Sequence, residues 1–417
     1  EPLEPLEPLE PLEPLEPLEP LKPNERRKSM KFIHTADWHL GKLLKEQSLT
    51  EDQEWLLIHQ FLPLVDEEKP DVILLAGDVY DRSYPPEEAV ELFDKMTEEI
   101  VGKRHIPFIV ISGNHDSAER LAVASRLLRN QGLYIFGPLN RLKPVILEDA
   151  WGPVAFLPLP YAEPARVRVL MNQRDLPGAE DIHSYEAAEQ KLSEILLDEL
   201  EDKSMRKVAL AHVFAAGGQS SESERPLSIG GYDQISDTIF APYCYTALGH
   251  LHRPQKTRAS SEKIQYSGSL MRYSFDEVKQ KKGVIVGEID GEGQVKTTFH
   301  DLIPRYQVRT LTGQFADLMS DEAEDSEDYL QIILTDTEPV LDAMPKLHQK
   351  YPHALGVEQD MGYKEDSGDR NIQLEQMSDL DIFKEFVHHF RDRDLTEEEE
   401  ALTASAWEEV YRKENSK

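Results

Sequence analysis

The sequence predicts an α/β protein in which two mixed β-sheets flanked by helices are followed by a small α+β domain and a C-terminal helical tail. Short β-branched or apolar runs alternate with amphipathic stretches through most of the chain, as expected for strands alternating with helices. Later apolar runs follow one another without long helices, which indicates a second sheet packed on the first. Polar residues follow almost every run, so candidate functional groups lie where strands end.

The main domain is expected to span residues 30–303, beginning at Met30. Its predicted strands are residues 31–35, 72–76, 108–112, 154–157, 208–212, 245–249, 263–267 and 283–289. Its predicted helices lie around residues 86–101, 118–130 and 185–200. Strands that alternate with helices form mostly parallel sheets, and ligands bind beyond the carboxyl ends of such strands.

The pattern changes after residue 303, where a compact β-α-β unit is predicted. Its two strands are residues 329–334 and 354–358, and its helix is residues 340–350. We assign this unit to a small cap domain over residues 304–360. The polar stretch that follows is expected to be a linker.

A tail over residues 376–417 is expected to form two helices. Ser378 can cap the first, and Thr396 with Glu399 three residues later is a capping box for the second. Two such helices cannot bury both of their apolar faces on each other, so the tail needs the rest of the protein or a partner. The candidate partner-binding residues on these faces are Phe383, Phe386, Phe390 and Trp407.

Residues 1–29 begin with an unvaried Glu-Pro-Leu repeat. Proline at every third position prevents helix and sheet formation and favours an extended, polyproline-like chain. We interpret this segment as a disordered extension or a translated leader. A Pro-rich ligand for a partner is the alternative.

The composition limits the classes of function that are possible. No apolar run in the 417 residues is long enough to span a membrane, and the N-terminus lacks the apolar segment of a secretory signal. Cys244 is the single cysteine, which fits a reducing compartment such as the cytoplasm. The formal net charge of −33 argues against a simple basic nucleic-acid binder, so a nuclease of this composition would need metals or a partner to hold phosphates.

Five short motifs carry the candidate chemistry: Asp-x-His at 37–39, Gly-Asp-x-x-Asp at 77–81, Gly-Asn-His-Asp at 113–116, a single histidine at 212, and Gly-His-x-His at 249–252. Each motif alone is more often structural than functional. Their joint occurrence on successive strand ends predicts a two-metal hydrolytic site of the kind used for phosphoester cleavage. The candidate ligands are Asp37, His39, Asp78, Asn114, His212, His250 and His252.

In this order the motifs resemble those of the calcineurin-like metallophosphoesterases, a fold of two sandwiched mixed sheets. The resemblance implies that one metal is held by Asp37, His39, Asp78 and His252. It implies that the second is held by Asp78, Asn114, His212 and His250, so that Asp78 bridges. Such mixed ligands suit Mn²⁺. His115 would then protonate the leaving oxygen, oriented by Asp81.

From Met30 to the C-terminus the chain resembles more closely the SbcD family, the nuclease subunits of bacterial SbcCD complexes. The segments that carry this likeness are residues 34–41, 76–81, 266–277 and 282–283. The resemblance implies a Mn²⁺-dependent nuclease of DNA repair, recombination and replication. Such an enzyme is a 3′–5′ exonuclease on double-stranded DNA and an endonuclease on single strands and hairpins.

The same resemblance implies a homodimer within a heterotetramer that contains an SbcC-type ATPase of the ABC/SMC class, acting at the nucleoid. The tail would bind this ATPase. The chain has no Gly-x-x-x-x-Gly-Lys-Ser/Thr loop, so any ATP dependence would come from the other polypeptide. No membrane partner is expected.

Several interpretations stay open at this point. A protein or small-molecule phosphatase of the same superfamily is the rival enzyme, and a scaffold with a vestigial site is the non-enzymatic rival. Trp38 is either a packing residue or a platform for a DNA base, and Arg272 is either a phosphate ligand or a structural residue. The candidate DNA-binding residues are Arg82, Arg253, Arg272 and Lys256.

Overall fold

Two six-stranded mixed sheets form the centre of the protein in a computed structural model. The structure describes residues 29–219, 221, 223–224, 234–257, 262–320, 325–360, 387, 396 and 399. In chain order the strands are β1 (Met30–Thr35), β2 (Leu43–Leu44), β3 (Gln47–Ser48), β4 (Val72–Ala76), β5 (Phe108–Ile111), β6 (Leu133–Phe136), β7 (Val145–Asp149), β8 (Gly152–Leu159), β9 (Arg206–His212), β10 (Phe214–Ala215), β11 (Gln234–Ile235), β12 (Tyr245–Gly249), β13 (Gln255–Lys256), β14 (Ile264–Tyr266), β15 (Gly283–Ile289), β16 (Val295–Asp301), β17 (Val308–Gly313), β18 (Tyr329–Leu334) and β19 (Ala354–Gln359).

The helices occupy the connections between these strands. The α-helices are α1 (Thr50–Leu56), α2 (Leu62–Glu68), α3 (Glu87–Thr97), α4 (Ala118–Leu121), α5 (Ser125–Leu128), α6 (Pro164–Gln173), α7 (Tyr185–Asp198), α8 (Phe315–Leu318) and α9 (Ala343–Leu347). Segments Leu57–Phe61 and Glu98–Lys103 are π-helical and continue α1 and α3. Short 3₁₀ segments lie at Arg129–Gln131, Leu139–Arg141, Ala179–Asp181, Asp237–Phe240 and Phe275–Lys279.

The strand order brings the strands that carry the motifs side by side. The first sheet runs β16-β15-β1-β4-β5-β6, and β1, β4 and β5 are parallel to one another. The second runs β13-β14-β12-β9-β8-β7, and β9 is parallel to both β8 and β12. Residues such as Phe32 and Leu74 of the first sheet and Leu210 of the second belong to one buried cluster, so the sheets pack face to face. This confirms the predicted core of two mixed sheets flanked by helices.

The helix predicted at residues 118–130 is wrong as a single element. The structure has two four-residue helices there, with Ala124 between them in the left-handed region at φ 56°. The amides of Val123 and Ser125 bond to carbonyls three residues back, to Arg120 and Ala122. These tight turns replace the bonds that would continue an α-helix.

The region after residue 303 contains more than the predicted β-α-β unit. The strand β17 joins β18 and β19 in a three-stranded parallel sheet, so this part is α/β and not α+β. The predicted helix at 340–350 is limited to Ala343–Leu347, because Asp342 before it has a left-handed backbone at φ 51°. Val308 and Tyr329 of this sheet belong to the same buried cluster as residues of the first sheet.

The compact unit that contains both sheets and the cap ends at Asp360, and a second unit begins at Met361. In that second unit the Glu399 amide donates to Thr396 Oγ1 at 3.3 Å, and the Thr396 amide donates to Glu399 Oε2 at 2.9 Å. This confirms the predicted capping box. The leader over residues 1–28 and the predicted partner-binding residues Phe383, Phe386, Phe390 and Trp407 lie outside the described residues. None of the described helices combines the length and apolar character needed to cross a membrane.

Candidate metal centre

The five motifs meet at one place, where the carboxyl ends of strands from both sheets come together. The first three follow β1, β4 and β5 of the first sheet, while His212 ends β9 and His250 follows β12 of the second. Main-chain bonds tie the first two motifs together, since the Asp37 amide donates to Gly77 O and the His39 amide to Asp78 O, each at 3.0 Å. Ligands distant in sequence are thus held side by side.

The backbone of the motifs is strained. Asp37, His39, Asp78 and His250 have φ angles of 51°, 44°, 48° and 102°, although none is glycine. Such conformations persist where surrounding contacts impose them, and they concentrate at functional sites. Glycine is required at Gly113, because a Cβ there would overlap Asp78 Oδ1. The local structure therefore favours the placement of these side chains over the ordinary backbone preference of their residue types.

One group of donors gathers around His39 and His252. The two Nε2 atoms of these histidines lie 3.0 Å apart, and donor atoms of both lie within 4.8 Å of an Asp37 oxygen. Asp37 is fully buried, and its Oδ2 has no hydrogen-bond partner. The other oxygen, Oδ1, accepts the His250 amide at 2.9 Å, which fixes the carboxylate in place. An unpaired buried carboxylate oxygen is costly unless it binds a cation.

A second group gathers around Asn114. Its Oδ1 lies 2.9 Å from His212 Nε2 and 3.2 Å from His250 Nδ1. On the far side of the ring, His212 Nδ1 lies 2.9 Å from the Ala76 carbonyl, which can only accept. Nδ1 therefore donates, and Nε2 is directed toward Asn114 and the centre.

Asp78 lies between the two groups. Its Oδ2 is 3.6 Å from His39 Nε2 in the first group and 3.3 Å from His212 Nε2 in the second. Its Oδ1 accepts the His115 amide at 2.8 Å and so holds the carboxylate in this orientation. A single carboxylate oxygen thus faces nitrogen donors of both groups.

These residues fit a pair of divalent cations. The donors are carboxylate and amide oxygens with imidazole nitrogens, the set typical of Mn²⁺, Fe²⁺ or Zn²⁺, and no thiolate takes part. Asp37, Asp78 and the four histidines are nearly fully buried, so ligand geometry is fixed before a cation binds. The unpaired Asp37 oxygen and the close approach of two imidazole nitrogens are both satisfied by a shared cation.

Electrostatics within the centre divide the histidines into two kinds. Burial lowers the pKa of His250 to about 3 and holds that of His39 well below its ordinary value, so both are neutral and able to bind metal. Burial alone would lower the pKa of His212 as well, but Asp78 and Asp37 raise it to about 9. Metal binding at His212 must therefore displace a proton.

The two carboxylates also differ. Burial raises the pKa of Asp37 to about 6. Burial acts on Asp78 in the same direction, but His212, His115 and His39 outweigh it and hold the pKa of Asp78 well below its usual range. Asp78 is thus ionised at neutral pH even without a cation.

His115 is adjacent to both groups without forming part of either. Its Nε2 lies 4.0 Å from Asp78 Oδ2, and its Nδ1 lies 2.7 Å from the main-chain carbonyl of Asp81. The sequence expectation that the Asp81 carboxylate orients His115 needs correction, because this contact is made by the carbonyl. The Asp81 carboxylate accepts from Lys42 Nζ at 2.8 Å and lies 3.7 Å from His39 Nδ1.

Two buried residues that sequence reasoning missed support the centre. Gln53 donates from Nε2 to the carbonyls of Trp38 and His39 at 3.0 and 2.9 Å, and its Oε1 accepts the Gly41 amide at 3.1 Å. Glu277 lies 3.1 Å from His252 Nδ1. Glu277 falls within the 266–277 segment, which was the available signal for it, whereas Gln53 lies on a helix with no motif.

The other candidates are placed as follows. Trp38 is fully buried and donates to Thr35 Oγ1 at 2.8 Å, so it is a packing residue and cannot stack on a base. Arg272 donates to the carbonyls of Gln280 and Val308 and to the Gln307 side chain, which is a structural role. Lys256 is exposed and paired with Glu262 at 3.0 Å, while Arg82 and Arg253 are exposed beside the motifs.

Away from the metal groups, burial raises the pKa of Glu189 on α7 to about 8 from 4.5. Its Oε1 has no hydrogen-bond partner. The folded protein therefore keeps a proton that the unfolded chain loses, and this stabilising contribution is full below pH 4.5 and is lost as the pH rises to about 8.

We expect Glu189→Gln to match the parent in melting temperature near pH 4.5 and to exceed it increasingly up to about pH 8. The difference in unfolding free energy should grow by about 1.4 kcal/mol per pH unit within that window. Calorimetry from pH 4.5 to 9 measures this, with the exposed Glu194→Gln on the same helix as the control. A difference that does not change with pH would contradict a neutral Glu189.

Comparison with known proteins agrees with this geometry. Residues 30–253 match the family model described as calcineurin-like phosphoesterase, and residues 304–389 match that described as type 5 capsule protein repressor C-terminal domain. A crystal structure of TT1561 from Thermus thermophilus overlaps 65% of this chain and 99% of its own, at 13% identity, but its TM-score of 0.36 is too low to carry weight.

Two curated relatives match nearly the whole chain, and each is named as the D component of the nuclease SbcCD, that is, SbcD. The protein from Staphylococcus epidermidis is 33% identical over 371 residues, 88% of this chain and 95% of that protein. The protein from Staphylococcus saprophyticus subsp. saprophyticus is 34% identical over 373 residues, with the same two coverages. The chain therefore belongs to the calcineurin-like phosphoesterases and, within them, to the SbcD family of SbcCD nucleases.

Proposed function

We propose that the protein is a DNA nuclease that cleaves phosphodiesters at this centre with Mn²⁺ as its metal. It acts as a 3′–5′ exonuclease on double-stranded DNA and as an endonuclease on single strands and hairpins, in repair, recombination and replication. The observation that carries the proposal is the position of Asp78 Oδ2, within 3.6 Å of a histidine nitrogen of each donor group. The SbcD relatives are named as nucleases, which supports DNA as the substrate.

The proposed ligands divide between two cations that share Asp78. The first cation would be held by Asp37, His39, Asp78 and His252, and the second by Asp78, Asn114, His212 and His250. When bound, such a pair supplies an acidified water and neutralises charge on the phosphate. The contribution of the chain is to hold these donors in fixed positions within a dry environment.

His115 is proposed as the general acid that protonates the leaving oxygen. The Asp81 carbonyl accepts from Nδ1 at 2.7 Å, so Nε2 is the nitrogen directed toward the centre. A donor at Nε2 then lies beside the phosphate once Asp78 and its neighbours hold the cations. The Asp81 carboxylate has a different task, because it pairs with Lys42 and faces His39.

Contacts to the DNA strand are proposed along two clefts beside the centre. A cleft of about 630 Å³ between the nuclease part and the cap is lined by Lys42, Lys45, Tyr273 and Phe275. Arg82 lines a neighbouring cleft of about 720 Å³, and Arg253 is exposed beside His252. These cations can contact phosphates, but the net charge of −33 limits the grip of the chain on its own.

The proposed partner is an SbcC-type ATPase, and the proposed assembly is a homodimer of this chain within a heterotetramer. Exposed apolar side chains support a self-contact near α5, since Val123 and Leu127 are 68% and 78% exposed. Light scattering on the purified chain measures the mass, and a monomer at all concentrations would contradict the dimer. The cytoplasm, with action at the nucleoid, is the proposed location, consistent with a single cysteine.

Deleting the tail from Met377 onward should separate assembly from chemistry. None of the proposed metal ligands lies in the deleted segment, so the truncated chain should still cut single-stranded DNA with Mn²⁺. It should lose co-purification with the ATPase and ATP-stimulated processing of duplex ends, because clustered aromatic residues are typical anchors for a partner. Equal recovery of the ATPase by truncated and full chains would contradict a partner-binding tail.

The proposed function is tested by incubating the purified chain with Mn²⁺ and either end-labelled hairpin DNA or phosphate monoesters. We expect hairpin cleavage that chelation abolishes and far slower monoester hydrolysis. Rapid hydrolysis of phosphopeptides or small monoesters without DNA cleavage would instead assign the rival phosphatase activity. Absence of both activities in a metal-loaded chain would favour a scaffold.

A further inference from the structure

His252 is the proposed metal ligand with a charged network behind it. One ring nitrogen, Nε2, lies 3.0 Å from His39 Nε2 at the centre of the first donor group. The other, Nδ1, lies 3.1 Å from Glu277 Oε1. Glu277 is fully buried, and its second oxygen accepts the Tyr273 amide at 2.8 Å. The carboxylate is thus held with one oxygen on the backbone and the other on the ring.

Lys282 holds the same histidine from a second direction. Its Nζ lies 3.0 Å from Glu277 Oε2 and donates to the main-chain carbonyl of His252 at 2.8 Å. A third contact to Ser269 Oγ at 2.9 Å completes its donors, and the residue is 5% exposed. A buried lysine whose three donors converge in this way fixes both the main chain and, through Glu277, the ring of His252.

We propose that Glu277 and Lys282 are positioning residues that set the orientation and donor strength of His252 and so determine the affinity of the first metal position. This inference rests on the proposed ligand assignment. A carboxylate hydrogen-bonded to the far nitrogen of a metal-bound imidazole fixes its tautomer and raises its basicity. Lys282 keeps the buried carboxylate charge compensated.

The second donor group has no matching device among the described residues. His212 Nδ1 bonds to the neutral Ala76 carbonyl at 2.9 Å, not to a carboxylate. The effect of Glu277 and Lys282 is therefore specific to one of the two metals. A merely structural ion pair would affect both positions alike, through loss of stability.

The test uses the full chain with Glu277→Gln and Lys282→Met combined, because removing one partner alone leaves a buried unpaired charge. Titration calorimetry with Mn²⁺ should show one binding step weakened by about 10–100-fold and the other unchanged. At Mn²⁺ levels that saturate the parent, the electron paramagnetic resonance signal of a coupled Mn²⁺ pair should be lost. Higher Mn²⁺ should restore that signal and recover turnover.

The matched control is Asp149→Asn, which breaks another buried ion pair, Asp149 with Arg206 at 2.6 Å. Arg206 begins the strand that His212 ends, so this pair lies about six residues, or roughly 20 Å, from the centre. The control should lose thermal stability and keep both Mn²⁺ affinities. If the double variant does not fold, Glu277→Asp keeps the charge pair, withdraws the carboxylate by one methylene, and should weaken the same single step.

Two results would overturn the inference: both Mn²⁺ affinities equal to those of the parent in the folded variant, or both steps weakened together. Failure of the proposed function gives a different pattern. A parent that binds two Mn²⁺ ions but does not cut DNA would contradict the nuclease proposal while leaving the positioning role measurable by calorimetry.

Discussion

Replacing Asp78 with Asn is expected to lower DNA cleavage by at least about 10³-fold and to reduce bound Mn²⁺ below two per chain. Asp78 Oδ2 is the single oxygen that faces nitrogens of both donor groups. The amide removes the negative charge that both cations would share. Metal stabilisation of a phosphoryl transition state amounts to several kcal/mol, and each 1.36 kcal/mol is a tenfold change in rate.

Metal content by mass spectrometry and cleavage of labelled hairpin DNA measure the two effects on the same sample. Asp149→Asn serves as the control for loss of a buried carboxylate far from the centre. The asparagine variant should keep its fold, since Oδ1 retains its oxygen for the His115 amide. A variant that holds both metals and cleaves at the parental rate would refute the two-metal assignment.

The sequence predicted the parts of the centre that depend on strand ends. Asp37, Asn114 and His212 follow or end apolar runs that predict buried strands, and parallel strands bring their carboxyl ends to one edge. Local pattern is sufficient here because the fold itself supplies the proximity. Which ligands share a metal came from the motif order of the resembling family, and it stays a prediction.

Residues that act through tertiary contacts were beyond such reasoning. Gln53 lies on α1 as one polar residue among several, and only the folded chain places its amide against the Trp38 and His39 carbonyls. The contact of His115 with Asp81 is made by a main-chain carbonyl, which every residue type offers, so identity at position 81 could not reveal it. The break at Ala124 was equally hidden, because the segment has good helix formers on both sides.

The strained backbone links these two kinds of residue. Asp37 and His39 are held in left-handed conformations that cost of order 1–3 kcal/mol each. Gln53 bonds to the carbonyls and the amide of this same loop, and so compensates for that strain. The metal motif and its unrecognised support therefore act as one unit.

Replacing His115 with Asn is expected to slow DNA cleavage by about 10²–10⁴-fold while both Mn²⁺ ions stay bound. His115 is directed at the centre through Nε2, 4.0 Å from Asp78 Oδ2, but it belongs to neither proposed ligand set. Its main-chain amide, which holds Asp78 Oδ1 at 2.8 Å, is unchanged by the substitution. The loss should therefore appear in turnover and not in metal affinity.

A substrate with a better leaving group separates proton donation from other roles of His115. A phosphodiester whose leaving group is p-nitrophenolate needs no protonation, so His115→Asn should cleave it at close to the parental rate. The control is His34→Asn, which removes another buried histidine whose ring contacts Tyr245 and Leu248 and not the metal groups. That variant should lose stability and treat both substrates alike. Equal slowing of both substrates by His115→Asn, or loss of a metal from it, would show that His115 positions the phosphate or binds metal and is not the acid.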